Sequence, residues 1–232
     1  MNGESEIGRS KDCNIAMPKL PKAKVPELPK LGIKDFADTM YQGVPAWYLF
    51  VVEAPLDEVL KEFTRLRKMK RIIRDVPLVG IKKYESIGLT VPVVRVMGSS
   101  WTIVQRAICI VTSQQLRDYA EDAKVLSARL KTRAIAFAAE DTSGSGGYEL
   151  YEKGVQIEKA EWGESSGFTS KRRKTPKHDT YDTAFVDGVF RDLGIYVPVC
   201  YGRDGASPAL AIDKKSSGSI ERAHLVELEK WG

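Results

Sequence analysis

Residues Tyr148–Trp162, with the sequence YELYEKGVQIEKAEW, decide the fold. The Lys153-Gly154 pair at the centre predicts a hairpin turn between the strands Tyr148–Glu152 and Val155–Trp162. This is the clearest antiparallel signal in the chain. It favours a sheet that is built largely from hairpins over a doubly wound parallel sheet.

Further strands are predicted upstream and downstream of this hairpin. Turn formers such as Gly88 and Gly98-Ser99-Ser100 separate several apolar segments of strand length. Trp47–Val52 is a continuous aromatic and β-branched run, which is typical of a buried strand. The other predicted strands are Val79–Tyr84, Val91–Met97, Trp101–Val111, Ala134–Ala139 and a closing strand at Ala223–Leu228.

Three segments have the apolar spacing of helices. Pro55, Asp57 and Glu58 stand where a first helical turn favours Pro and acidic residues. In the segments that follow, apolar residues recur at i, i+3, i+4 and i+7, which places them in one stripe. The predicted helices are Leu56–Leu66, a second that Thr112 or Ser113 caps and that ends near Leu130, and Thr183–Leu193.

The order of these elements predicts an α+β fold, with a mostly antiparallel or mixed sheet and the helices packed on one face. We see no internal repeat and no linker, so residues 35–232 are expected to form a single domain. The predicted core includes Phe50, Leu60, Phe63, Ile103, Val104, Leu126, Ile135 and Phe137.

The segment Met17–Lys34, MPKLPKAKVPELPKLGIK, repeats Pro and Lys at short intervals and is called the Pro/Lys segment below. Pro removes a backbone donor and keeps the preceding residue extended, so a packed helix or central strand is not expected. Residues 1–34 are therefore predicted to be a disordered tail. One interpretation is a polyproline-like arm that contacts a partner or an acidic surface, and the other is a solvated leader.

Composition narrows the classes of function. The 232 residues include 36 Lys and Arg against 31 Asp and Glu, and the resulting charge of +5 indicates solubility more than a dedicated polyanion surface. Three widely spaced cysteines, Cys13, Cys109 and Cys200, make neither a disulfide framework nor a C-x-x-C metal pair. We expect a cytoplasmic protein without metal or cofactor. No secretory signal or membrane span is recognised.

The loop EDTSGSGG, from Glu140 to Gly147, is the first candidate for ligand binding. Glycines let backbone N–H groups converge on an anion, and Asp141, Thr142 and Ser143 would be the polar contacts. The loop lacks the Lys-Ser or Lys-Thr and the following helix of a phosphate-binding loop. The alternatives are a flexible hairpin connection and an enzyme with an acidic site near 140–143. Neither His178 nor His224 stands in a recognisable hydrolase context, so no catalytic residue is assigned.

Two basic clusters suggest nucleic-acid binding. The first basic cluster covers residues 65–74 and the second covers 171–177. Together they could neutralise phosphates, although each alone is also typical of a solvated patch. We expect the two clusters to lie apart. The residues of this candidate surface are Arg67, Lys70, Arg71, Arg172 and Arg173.

The stretch Leu126–Trp162, with Phe185-Val186-Asp187 and Tyr196-Val197-Pro198 further on, resembles bacterial proteins of immunity-protein-like build. The shared pattern is a helix, a short strand that ends in acidic residues, a Gly/Ser turn and a Gly-Tyr hairpin. The resemblance implies a non-catalytic module that binds another protein, such as a toxin. A non-enzymatic protein-binding role is therefore the preferred hypothesis, ahead of the nucleic-acid and enzyme alternatives.

Overall fold

The computed structural model describes residues 46–76, 90–105, 113–140, 144–163, 166–174, 183–195 and 220–229. In these ranges the strands are β1 (Ala46–Val52), β2 (Met69–Ile73), β3 (Thr90–Val96), β4 (Thr102–Gln105), β5 (Arg133–Glu140), β6 (Gly146–Glu152), β7 (Val155–Trp162), β8 (Gly167–Ser170) and β9 (Ile220–Leu228). The helices are α1 (Leu56–Leu66), α2 (Ser113–Leu130) and α3 (Thr183–Leu193).

The described strands form one sheet in the order β2-β9-β3-β4-β1-β5-β6-β7-β8. Neighbouring strands pair antiparallel throughout. The predicted hairpin is confirmed, since Glu152 pairs with Val155 across the turn. Lys153 and Gly154 have φ of 50° and 82°, and two positive φ values in succession are those of the type I′ turn that matches strand twist.

The core has two layers, one on each face of the sheet. Along β1, Phe50 and Val52 belong to one layer, whereas Leu49 and Val51 belong to the other, because successive strand residues point to opposite faces. All the core residues predicted from the sequence are buried, with no more than 2% of their surface exposed; they are Phe50, Leu60, Phe63, Ile103, Val104, Leu126, Ile135 and Phe137.

The helices do not share one face, and this corrects the sequence prediction. α1 and α2 contribute Leu60, Phe63 and Leu126 to the layer of Phe50. α3 contributes Val189 and Phe190 to the opposite layer. The physical reason is that the central strands are apolar on both faces, so each face needs its own cover.

Two interactions hold α3 against its face. The indole Nε1 of Trp101 donates a hydrogen bond to the carbonyl of Leu193 at 2.9 Å. The rings of Phe137 and Phe190 meet edge to face, with centroids 5.6 Å apart, a favoured aromatic geometry. The carbonyls at the end of a helix lack partners within it, so the indole satisfies one of them.

Two strands were not predicted. β2 lies within the first basic cluster and pairs with β9 at one edge of the sheet. β8 ends directly before the second basic cluster and pairs with β7 at the other edge. Both are short and rich in polar residues, so neither has an apolar run. The predicted strand Val79–Tyr84, the part of Trp101–Val111 after Gln105, and the predicted tail all lie outside the described residues.

Candidate binding cleft

An open cleft of about 820 Å³ lies between α2 and the strands β5, β6 and β7. One row of residues runs across it, because Tyr48 pairs with Ala138, Ala138 with Gly147, and Gly147 with Glu161. Directly paired residues on neighbouring strands point to the same face. The row therefore places two very small residues between a tyrosine and a glutamate. We call this site the α2 cleft.

The floor of the α2 cleft is formed by Ala138 and Gly147, which have the smallest side chains. A Cβ atom at Gly147 would lie 2.7 Å from the backbone carbonyl of Ala160, which is closer than real contacts allow. A glycine in a strand often marks such a close backbone approach. Ala120 of α2 and Ala138 of β5 also line the cleft, and each has a single methyl group as its side chain. The open volume of the cleft is therefore bounded by small residues.

Polar side chains along the cleft are joined to one another. Glu149 accepts hydrogen bonds from the Tyr151 hydroxyl and, at 2.8 Å, from Nε2 of Gln156. Nζ of Lys159 lies 2.6 Å from Glu161 and 3.6 Å from Glu149. The rim on α2 adds a further ion pair, Lys124 to Glu121 at 3.1 Å. The cleft thus combines an apolar floor with a rim of paired charges.

The ionisation of two of these groups is fixed by their neighbours. Burial, together with the hydrogen bond to Glu149, raises the pKa of Tyr151. The hydrogen bond to Glu161 raises the pKa of Lys159, against a smaller opposing effect of burial. Both groups therefore keep their protons at neutral pH. They are hydrogen-bond donors rather than bases.

The ligand-facing loop candidates Asp141, Thr142 and Ser143 lie outside the described residues. The residues that follow them, Ser145 and Gly146, line the α2 cleft together with Gly147. The part of the predicted loop that is described therefore borders the cleft. The acidic site near 140–143 stays a prediction.

In the first basic cluster, Arg67, Lys70 and Arg71 are each paired with an acid. Nε of Arg67 lies 2.9 Å from Asp122, and both side chains are largely buried. Burial raises the pKa of Asp122, and the hydrogen bond from Arg67 opposes that shift. Lys70 and Arg71, on the edge strand β2, lie 3.4 Å and 3.3 Å from Glu227. Arg67 thus joins α1 to α2, while Lys70 and Arg71 are exposed.

In the second basic cluster, Arg172 and Arg173 converge on the fully buried carboxylate of Glu158 at 3.0 Å and 2.9 Å. Tyr148 and Ser170 donate hydrogen bonds to the same carboxylate at 2.6 Å and 2.8 Å. We call this group the Glu158 cluster. Burial by itself raises the pKa of Glu158, but the hydrogen bonds from Arg172, Tyr148 and Ser170 and the charge of Arg173 hold it below its usual range.

Two aromatic rings contact the second basic cluster from outside it. The guanidinium of Arg173 lies over the rings of Phe168 and Phe185, 5.4 Å and 5.0 Å from their centroids, which is cation–π geometry. The two basic clusters lie at opposite edges of the sheet, one at β2 and the other after β8. The structure therefore does not bring Arg67, Lys70 and Arg71 together with Arg172 and Arg173.

His224, to which the sequence assigns no catalytic role, is buried in the structure. His224 on β9 is fully buried, and its Nδ1 accepts a hydrogen bond from the backbone N–H of Asp75 at 2.9 Å. Burial and then the charge of Arg222 lower its pKa. Arg222 in turn donates to Asp57 at 2.7 Å and to Asp75 at 3.0 Å. Alternation along β9 was the available signal, since Arg222, His224 and Val226 share a face.

Cys13, Cys109, Cys200 and His178 lie outside the described residues. Within the described ranges, no three His, Cys, Asp or Glu side chains are grouped as a metal site would require. Nor does that part of the chain include a helix of the length and apolarity needed to cross a membrane.

Comparison of the chain with known protein families, curated proteins and solved structures finds no match. The geometry of the site is therefore the basis for the function proposed below.

Proposed function

We propose that this chain is a non-enzymatic protein-binding module, similar in role to immunity proteins, and that the α2 cleft receives part of its partner. The observation that carries the proposal is the cleft itself, with a floor at Ala138 and Gly147 between two charged rims. An apolar floor with a few fixed polar groups is the usual build of a binding site.

The protonation of Tyr151 and Lys159 supports a binding role over acid–base catalysis. A tyrosine or lysine that acts as a base at neutral pH needs a lowered pKa. In Tyr151 and Lys159 the pKa is raised instead. Their protons are directed to Glu149 and Glu161, so the cleft offers an ordered set of donors and acceptors to a partner.

Two cross-linking positions test the proposal. Lys124, on the rim of the cleft, and Lys61, an exposed residue of α1, are each replaced by benzoylphenylalanine in the full chain. Irradiation in an extract of the source cells should give one discrete cross-linked protein from position 124. The same product should not form from position 61.

Filling the cleft provides the matched comparison. Ala138→Phe places a ring on the floor, whereas Thr169→Phe places the same ring on an exposed position of β8 on the same face of the sheet. The cross-linked product should disappear with Ala138→Phe and persist with Thr169→Phe, provided that circular dichroism shows both variants folded. A product that survives Ala138→Phe would refute the cleft as the binding site.

A further inference from the structure

The α2 cleft carries an excess of negative charge among its described residues. Its charged groups are the glutamates Glu121, Glu149 and Glu161, against Lys124 and Lys159. The side chains of Glu121 and Glu161 are 59% and 46% exposed, so both can accept a further cation. These carboxylates favour basic side chains on the occupant, since charges of opposite sign are complementary. The small apolar residues of the floor favour an extended segment with apolar side chains.

The Pro/Lys segment of this chain has that chemistry. It contains five lysines and one glutamate, and Pro recurs three residues apart in Pro18-Lys-Leu-Pro21 and Pro26-Glu-Leu-Pro29. A polyproline II helix has three residues per turn, so each pair of prolines lies along one edge. Lys19 and Lys22 have the same spacing and share another edge. In this geometry the Pro/Lys segment would be narrow, with an apolar edge beside a basic edge.

The chain enters the sheet at the end where the cleft lies. Ala46 pairs with Glu140, and Tyr48, two residues later, already lines the cleft. The link between Lys34 and Ala46 is 11 residues long and spans up to about 36–40 Å when extended. The cleft extends across the sheet from β1 to β7, three strand spacings or about 14 Å at roughly 4.8 Å each, so the link is longer than this distance. The link also keeps the segment at an effective concentration on the order of millimolar, so even weak docking is populated.

We propose that the α2 cleft binds a basic, proline-rich extended segment and that its occupant in this chain is the Pro/Lys segment, residues 17–34, docked within the same molecule. The prolines face the floor at Ala138 and Gly147, and the lysines face Glu121 and Glu161. This inference rests on the proposed function, because the docked segment would occupy the place of the partner. A polyproline II segment makes no internal hydrogen bonds, so docking agrees with the sequence prediction that this segment forms neither a helix nor a central strand.

Zero-length carbodiimide cross-linking of the full chain tests the proposal, because it joins lysine amines only to carboxylates in direct contact. At low salt and low protein concentration, we expect Lys19, Lys22, Lys24 or Lys30 to be joined to Glu121 or Glu161 within the monomer. Glu58, an exposed carboxylate of α1, is the reference. The yield at the cleft should exceed the yield at Glu58 and fall to that level in 1 M salt, where the Debye length is about 3 Å.

The control variants separate specific docking from general attraction. Ala138→Phe should remove the cross-links, and Thr169→Phe should leave them. Glu121→Lys alone, at an exposed position, should also lower the yield at Glu161, which keeps its carboxylate, without relying on a core substitution. Cross-links spread over Glu58 and other exposed carboxylates in the wild-type chain would overturn the proposal. Cross-links that appear only in dimers and rise with concentration would also overturn it, since the occupant would then be a second copy.

Failure of segment docking can be distinguished from failure of the protein-binding role. If Lys22→Glu with Lys24→Glu leaves partner cross-linking at position 124 unchanged, and no segment cross-links form, this inference fails and the proposed function stands. Segment cross-links at Glu121 or Glu161, together with no partner product from position 124 even in the Lys22→Glu with Lys24→Glu variant, would support this inference and refute the protein-binding role. With both correct, Lys22→Glu with Lys24→Glu should increase partner capture.

Discussion

The guanidinium of Arg173 donates two hydrogen bonds to the buried carboxylate of Glu158, from Nε at 3.0 Å and from Nη2 at 2.9 Å. Arg172 approaches the same carboxylate from the next position in the chain. This arrangement joins the end of β8 to β7 at the edge of the sheet. It shows that a run of four basic residues contains two that serve the fold.

We expect Arg173→Met to lower the free energy of unfolding by about 2–4 kcal/mol. Loss of one partner from a buried ion pair typically costs about 3–5 kcal/mol, and Arg172 still faces the carboxylate here. Lys174→Met, at an exposed neighbouring position, is the control and should change stability by less than about 0.5 kcal/mol. Urea unfolding at pH 7 measures both. Equal, small effects would show that the Glu158 cluster is not a stabilising pair.

The same cluster predicts a loss of stability in acid. The pKa of Glu158 is lower in the folded protein than its ordinary value of 4.5, so its ionised form stabilises the fold above that pH. The contribution should be lost as the pH falls below 4.5 toward the folded pKa. The difference in unfolding free energy between the wild type and Glu158→Gln should therefore shrink between pH 6 and pH 3. A difference that stays constant with pH would contradict the assignment.

His224 predicts a second dependence on pH, at a higher range. Burial and the charge of Arg222 lower its pKa from 6.5, so the neutral ring is the folded form. The unfolded chain takes up a proton near pH 6.5 and the folded chain does so only at lower pH. Stability is therefore full above pH 6.5 and falls as the pH drops toward the folded pKa.

Substitution of each histidine in turn isolates this effect. The chain has two histidines, so His178→Gln is the matched control for His224→Gln. Urea unfolding between pH 7.5 and pH 5.5 should show a falling stability in the wild type and in His178→Gln. The slope should be absent in His224→Gln. A wild type with a flat profile over this range would refute the prediction.

The hairpin turn offers a stabilising substitution. Lys153 has a φ of 50°, and a non-glycine residue in this region is disfavoured by about 1–2 kcal/mol, less so for Asn. Lys153→Asn creates the Asn-Gly pair that type I′ turns prefer. We expect it to raise the melting temperature, with a gain of about 0.5–1 kcal/mol. Lys131→Asn, also at positive φ but outside a hairpin, tests whether the gain belongs to the I′ turn.

Much of the fold was predictable because its elements carry strong local patterns. The aromatic and β-branched run of β1, the apolar stripes of the helices and the Lys153-Gly154 turn each specify their own structure. β2 and β8 were missed, since segments of five and four residues with mixed apolar and polar side chains are too short to show a period. Their strand geometry comes from pairing with β9 and β7, which is a tertiary effect.

The site was less predictable than the fold. The small size of Ala138 and Gly147 becomes informative only when cross-strand pairing places them side by side. The sequence likewise identified Arg172 and Arg173 only as part of a basic cluster, without a partner for either. The actual partner of both arginines is Glu158. It lies on the preceding strand, β7, whose alternating sequence is typical of a half-exposed strand. The cleft floor and the Glu158 cluster both depend on strand register and burial. Register and burial are set by contacts between residues distant in sequence.

The last prediction concerns nucleic acids, and it depends on the distance between the basic clusters. β2 and β8 are separated by eight steps between strands, or about 38 Å at roughly 4.8 Å per step. A 10-bp duplex is about 34 Å long, which is shorter than this path across the sheet, so we do not expect one such duplex to engage both clusters fully. We expect weak binding of random 10-bp DNA, with the logarithm of the affinity falling by no more than about 3 units per tenfold rise in salt.

The variants for this test follow from the ion pairs. Arg172→Glu with Arg173→Glu would unpair Glu158 and confuse binding with folding, so Lys171→Glu with Lys174→Glu replaces them at exposed positions. Lys70→Glu with Arg71→Glu probes the other edge, where both side chains are at least 60% exposed. Each pair should weaken binding by its own small factor, and the factors should multiply. Tight binding that either pair alone abolishes would mean that the clusters act as one surface, and a nucleic-acid function would then replace the protein-binding one.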